Sequence, residues 1–236
     1  MCIRDRANSG QTCVGIERVY VERSVRDRFI AELRAALSNV APGSGARATY
    51  GPMTMPAQIG VVREHVEDAL RRGGTAVIGG VDSIGDRYIS PIVILDPPED
   101  CLAVQEETFG PTLTVTTVAD MDEAVRLANG VAYGLGGAVF SRRRGRELAA
   151  RLDAGVVSVN SVVGFAGIPS LPLGGTGASG FGRIHGPEGL REFSVTKSIA
   201  HQRFPIPGLR LLSFRRSAAV TALLPRIVAF RHSRRH

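Results

Sequence analysis

Cys2, Cys13 and Cys101 are the only thiols in 236 residues, spaced 11 and 88 apart. An odd number at such intervals fits neither a disulfide framework nor paired zinc ligands, so each thiol stands by itself. A thiol becomes a nucleophile where donors or positive charge stabilise its thiolate. The run Asn8-Ser9-Gly10-Gln11-Thr12-Cys13 sets Cys13 in a polar, glycine-containing turn ahead of a strand, which makes it the candidate nucleophile. The alternative is a small buried hydrophobe. Cys101, following Pro98-Glu99-Asp100 at the start of an apolar step, reads as packing. A nucleophilic cysteine also raises a Cys–His hydrolase, in which histidine serves as base. For that role His65 falls on the polar side of a helix, and His201, His232 and His236 lie in or beside the C-terminal tail. His185, in a glycine-rich loop, is the one candidate base.

Two further stretches carry chemistry. Gln105-Glu106-Glu107-Thr108-Phe109-Gly110-Pro111 joins two carboxylates, an aromatic ring and a turn immediately ahead of a strand, against the plainer reading of a charged loop with Phe109 in the core. Gly175-Thr-Gly177-Ala-Ser-Gly180 matches the G-x-G-x-x-G dinucleotide fingerprint, which must close a strand and open a helix. Here it follows Pro169-Ser-Leu-Pro172-Leu and runs into Phe181-Gly182-Arg183, with no acid ~20 positions on at the end of a second strand. It reads as a backbone loop.

The elements that must position these groups alternate. Gly15–Glu22 has strand periodicity, and Ser24 with Asp27 forms a capping pattern before Val25, Phe29, Ile30, Leu33 and Leu37 at helical spacing. A helix over Met55–Arg71 precedes strands at Thr75–Ile78, Ile89–Leu95 and Thr112–Val118. Asp120 with Glu123 caps a helix running to Asn129. A strand at Gly137–Phe140, a helix at Arg144–Leu152 and a strand at Gly155–Asn160 follow. This order predicts an α/β fold with a parallel, helix-covered sheet. Gly164–Gly189 lacks periodicity and reads as a long structured loop of the kind that shapes sites.

With 44% hydrophobic residues, the chain has enough apolar surface for one large α/β domain or two small ones, which excludes disorder. The net charge of +7 suggests nucleic acid until its distribution is read. Eight arginines and no acid lie between His201 and His236, leaving residues 1–200 with 21 basic against 22 acidic groups. The body is therefore near neutral, and nucleic-acid binding is not expected. No run reaches the ~20 apolar residues of a spanning helix, and Met1–Gly10 has no signal-peptide core, so a cytoplasmic chain is expected.

Asn8-x-Gly10-Gln11-x-Cys13, Glu106-Glu107-x-Phe109-Gly110-Pro111, Tyr133-Gly134-Leu135, Val159-Asn160 and Pro172-x-Gly174-Gly175-x-x-x-Ser179-Gly180 together resemble the aldehyde dehydrogenase superfamily in order and spacing. The resemblance covers residues 7–200 and corresponds to the family's C-terminal catalytic half. It implies that Cys13 adds to the aldehyde carbon to give a thiohemiacetal, then a thioester that water hydrolyses. The Cys13 amide would help hold the oxyanion. Glu107 would hydrogen-bond the nicotinamide ribose of NAD or NADP, with Phe109 packing beside it. A small-molecule aldehyde and a homo-oligomer are further implications. Within the family, Gly174–Gly186 is similar to the branch oxidising medium- and long-chain or aromatic aldehydes, as the apolar Val162, Val163, Phe165 and Ile168 also suggest. Succinate-semialdehyde dehydrogenase is the alternative, and a carboxylate-ended substrate would want an arginine in its pocket.

The family's dinucleotide-binding half, its base Glu and its oxyanion Asn precede the cysteine motif, where this chain has twelve residues. Met1–Arg6 fails to resemble the family's approach to the nucleophile and reads as a foreign leader. The expectation is a truncated chain that lacks turnover alone, with a non-catalytic, oligomerising fragment as the competing class. Residues 201–236 form a basic tail in which Ala218–Phe230 is apolar apart from Thr221, Pro225 and Arg226. It suits either peripheral contact with an anionic membrane or docking on a partner subunit.

Overall fold

A computed structural model describes residues 8–201, 203, 204 and 218–232. These fall into two compact units, one ending at Ser194 and one beginning at Val195. The leader 1–6 with Cys2, and the stretch 205–217 of the tail, lie outside the described residues.

In the first unit, β1 (Arg18–Glu22) passes directly into α1 (Arg23–Leu37). Next come α2 (Pro56–Arg71), β2 (Thr75–Ile78), β3 (Ile92–Leu95), the short α3 (Leu102–Gln105) and β4 (Thr112–Val118). They build a four-stranded sheet in the order β1-β4-β3-β2. β4 is central and parallel to both neighbours, with Arg18 opposite Thr114 and Ile92 opposite Thr112. Both sheet faces are covered, as the alternation of β3 requires. Ile92 and Ile94 pack with Val62, Val66 and Ala69 of α2, while Val93 packs with Leu33 and Leu37 of α1.

The α/β class and the helical cover agree with the sequence, and several local expectations are corrected. β2 pairs antiparallel to β3. No α-helix lies between Ile78 and Ile92, so the chain turns back rather than crossing over. β3 begins at Ile92, not Ile89, because Pro91 has no amide to donate and Ile89 is spent on a bridge to Ile84. The Ser24/Asp27 cap is absent. The helix starts two residues earlier, at Arg23, Glu22 takes an extended conformation, and no side chain caps it. Asp27 instead accepts from its neighbour Arg26. The cap at Asp120 forms, its carboxylate accepting from the amides of Asp122 and Glu123, both at 2.9 Å, ahead of α4 (Met121–Ala128).

The remaining elements are β5 (Tyr133–Gly134), β6 (Gly136–Val139), α5 (Gly145–Ala149), β7 (Val156–Val159), β8 (Thr176–Gly177) and α6 (Gly186–Glu192). β6 and β7 pair in parallel, and β5 pairs antiparallel with β8. Among the described residues of the second unit there is one helix, α7 (Ala218–His232).

Candidate active site

Cys13 sits exposed in a turn just before β1. The turn is rigid for local reasons. Asn8, Ser9 and Gly10 have φ of 55°, 60° and 76°, a left-handed stretch closed by the Gln11 amide donating to Asn8 O at 3.0 Å. The Asn8 and Gln11 side chains donate to each other's backbone carbonyls at 3.1 and 2.9 Å. Buried Ser9 donates to Gly51 O at 2.7 Å, and Gln11 Oε1 accepts from the Thr54 amide at 2.9 Å. The polar residues before the thiol thus anchor the loop, while Cys13 projects into solvent. Its amide N–H makes no hydrogen bond with any described residue, leaving a donor beside the sulfur. Cys101 is fully buried, and burial pushes its thiol up. It packs, as expected, and is no rival nucleophile.

The acidic loop ahead of β4 is fastened to the cysteine loop. An added Cβ on Gly10 would stand 2.1 Å from the carbonyl oxygen of Gly110, so the two backbones meet where only glycine fits. Glu17, four residues after the cysteine, accepts from the amides of Thr108 and Phe109, each at 2.8 Å. Phe109, at φ 50°, is held in the left-handed region by this carboxylate clamp. Burial raises the Glu17 pKa, and the two amides oppose that rise by favouring the charged form. Gln58 of α2 donates to Thr108 O at 2.8 Å, and His65 Nδ1 lies 3.0 Å from Thr108 Oγ1.

His65 corrects an expectation. It faces the core at 6% exposure and supports the acidic loop instead of lying on a polar helix face. Its helix spacing is ambiguous because Glu64 directly precedes it and Glu67 follows two positions on. Burial lowers its pKa below the usual 6.5, and the carboxylates of Glu64, Glu106 and Asp68 partly oppose this. The unfolded chain therefore takes up a proton near pH 6.5 that the folded chain refuses, so stability falls as pH drops from about 7 toward the folded value. The unfolding midpoint of the native chain should fall more steeply between pH 7 and pH 5.5, to about these limits, than that of His65→Gln. Parallel pH profiles would refute this.

A cavity of about 880 Å³ opens beside these loops. Cys13, Glu106, Glu107, Tyr133, Val162 and Phe165 all line it, with Glu17 and Arg18 at the start of β1. Cys13 and Glu107, 94 positions apart, thus share one cleft. Phe109 does not line it and joins the site through its backbone. Tyr133 donates to Glu106 at 3.1 Å, whereas Glu107 makes no hydrogen bond or ion pair with any described residue. No histidine is among the described lining residues, so the described residues of the cleft offer the Cys–His alternative no base. The glycine-rich motif opens no helix, and where the sequence reads as a backbone loop, Thr176–Gly177 within it form β8 against β5. A Cβ on Gly155 would fall 1.8 Å from Gly174 O, and the Gly134 amide donates to Ser179 Oγ at 3.1 Å, fixing the segment behind Tyr133. Glu17 gave no sequence signal, because an acid at a strand edge reads as solvated until its partners, 91 and 92 positions away, are known.

The model of the aldehyde dehydrogenase family matches residues 5–199. The chain belongs to the aldehyde dehydrogenase family. It is 38% identical over 202 residues to the 4,4'-diapolycopene aldehyde oxidase of a Methylomonas species, covering 85% of this chain and 38% of that relative. A Mycobacterium tuberculosis protein provisionally named succinate-semialdehyde dehydrogenase [NADP(+)] 2 is 38% identical over 204 residues, 84% of this chain and 39% of the relative. Among solved structures, an NAD-dependent aldehyde dehydrogenase from Sinorhizobium meliloti superposes with TM-score 0.79 at 32% identity, over 86% of this chain and 41% of that one. The chain thus spans about two fifths of the length of the relatives it matches.

Proposed function

We propose that this chain carries the nucleophile and the cofactor-aiming carboxylate of an NAD(P)-dependent aldehyde dehydrogenase that converts an apolar aldehyde to a carboxylic acid. The observation that carries the reading is the shared cleft of Cys13 and Glu107, fastened by the Gly10–Gly110 contact and the Glu17 clamp. Cys13 Sγ, as thiolate, adds to the aldehyde carbon. Its neighbouring amide N–H is placed to donate to the oxygen on which negative charge develops, lowering the barrier rather than merely improving binding. The cleft fits a dinucleotide's ribose, because Glu107 offers both carboxylate oxygens to a pair of hydroxyl donors without surrendering a bond to the protein. NAD(P)⁺, when bound, supplies the hydride acceptor. Phe109 would pack beside the nicotinamide end, positioned by Glu17 through its backbone. Water then frees the acid from the thioester on Cys13 and restores the thiol.

The lining supports a reading of the substrate class. Val162 and Phe165 are apolar, and Glu17, Glu106 and Glu107 face a single nearby cation, Arg18. A carboxylate-ended aldehyde meets repulsion there, so a medium- or long-chain or aromatic aldehyde is favoured. Succinate semialdehyde is the second reading, carried by the name of the mycobacterial relative. Self-association is supported by the exposed Phe181, Leu190 and Phe193 of the first unit. A chimera in which residues 8–200 replace the matching segment of the Sinorhizobium enzyme tests the reading. It should oxidise octanal in preference to succinate semialdehyde with NAD⁺ or NADP⁺ and lose turnover on Cys13→Ala. A cooperatively folded chimera whose turnover survives Cys13→Ala sinks the assignment, and preference for succinate semialdehyde sinks the apolar substrate.

A further inference from the structure

The glycine-rich segment around Thr176 has no part in the catalytic reading, yet it fixes one side chain of the cleft. β8 pairs antiparallel with β5, setting Gly177 opposite Tyr133 and Thr176 opposite Gly134. Further bonds lock this register: the Ala178 amide donates to Ala132 O at 2.9 Å, the Gly134 amide to Ser179 Oγ at 3.1 Å, and Thr176 Oγ1 to Gly134 O at 3.2 Å. Glycine is required on both strands. A Cβ on Gly177, at φ 59°, would stand 2.4 Å from Ala132 O, and one on Gly134 would stand 2.3 Å from Asp153 O. Tyr133 therefore rides on a rigid seat at the wall of the cleft.

From that seat its phenol donates to Glu106 Oε2 at 3.1 Å. Glu106 and Glu107 both line the cleft, so a ribose entering it meets two neighbouring carboxylates, each able to accept a pair of hydroxyls. The structure makes them unequal. Glu106 has a donor in Tyr133, whereas Glu107 has no hydrogen-bond or ion-pair partner among the described residues. A phenol whose backbone is locked on both sides does not follow a ligand, and the carboxylate bonded to it stays at the wall. The bond also protects its own proton, because the Glu106 carboxylate resists formation of a phenolate and pushes the Tyr133 pKa up. We propose that Tyr133 is a positioning residue: its phenol ties Glu106 to the wall of the cleft and leaves Glu107 as the carboxylate that takes the cofactor ribose. This assignment rests on the ribose-binding role proposed for Glu107.

In the chimera made inert by Cys13→Ala, titration calorimetry with NAD⁺ reads cofactor binding without turnover. Tyr133→Phe keeps the ring and removes only the hydroxyl. It should raise the dissociation constant by about three- to tenfold, the worth of a charge-assisted hydrogen bond reduced by solvent. In a Glu106→Ala background the same change should have no effect, because no carboxylate is left to tie. In the chimera that keeps Cys13, Tyr133→Phe should raise KM for NAD⁺ by the same factor and leave kcat within about twofold. A purely structural role would act in both backgrounds alike and on kcat as well. The full chain by itself gives a second readout, the carbon-13 titration of the Tyr133 ring. Glu106→Gln should move that titration to lower pH, since Glu107 and Glu17 are then the anions that remain nearby. Equal loss of NAD⁺ affinity in both backgrounds, no loss in either, or a Tyr133 titration indifferent to Glu106→Gln overturns the assignment and leaves Glu107 in its role. A chimera that binds NAD⁺ as tightly after Glu107→Ala overturns both.

Discussion

Gly10→Ala is expected to separate the cysteine loop from the acidic loop and cost at least about 3 kcal/mol of stability. Two effects add. At φ 76° a side chain is strained whatever the space, and the new Cβ would lie 2.1 Å from Gly110 O and 2.4 Å from Gly110 C, so backbone must move. No flexible side chain is available to yield. For a folded unit of this size the melting temperature should drop by about 6–12 °C, and Cys13 should change its alkylation rate as its turn loosens. Gly60→Ala is the control. Gly60 lies within α2 with open space around it, so alanine there should leave stability unchanged or raise it by up to about 1 kcal/mol. If Gly10→Ala melts within about 2 °C of the native chain, the two loops do not meet and the shared cleft has no mechanical basis.

Glu17→Ala should be nearly as damaging, by a different route. It leaves the Thr108 and Phe109 amides without their acceptor at a largely buried position, at about 1–3 kcal/mol for each stranded donor. Phe109 would then lose the clamp that holds its left-handed backbone. Glu17→Gln should fall between native and alanine. Its amide oxygen can serve one N–H, but its NH₂ turns a donor toward the other. Hydrogen exchange makes the test specific. Protection of the Thr108 and Phe109 amides should fall by tenfold or more, each 1.4 kcal/mol being about tenfold, while the central β4 amides keep theirs. Unchanged exchange at Thr108 and Phe109 would remove Glu17 from the site.

The two positions differ in how far the local sequence exposes their roles. Glycine at position 10 stands out as part of a recognisable pattern around Cys13, and its role was open to inference from the polar turn alone. Glu17 belongs to no pattern. Its importance arises because β1 and β4 pair in parallel with Arg18 opposite Thr114, which carries the residue just before β1 past the loop that opens β4. His65 is similar. Directly preceded by Glu64 and two positions before Glu67, it resembles a solvated position, yet it turns inward because α2 packs its Val62–Val66–Ala69 face on β3 and carries the next position of that face under Thr108.

The sequence by itself determined the candidate nucleophile and its turn, the alternation of strands and helices, the family resemblance, and the arginine-rich, apolar tail. All of these are written in neighbours along the chain: a glycine beside a thiol, a period of two or of 3.6, a run of one charge. Only the tertiary structure decided that β2 runs against β3, that Glu17 and His65 are buried struts, and that Cys13 and Glu107 open on one cleft that Phe109 does not line. Those facts depend on which segments, some ninety residues apart, close upon each other. That choice is made by the burial of both sheet faces at once, a condition on the whole core that no local window contains.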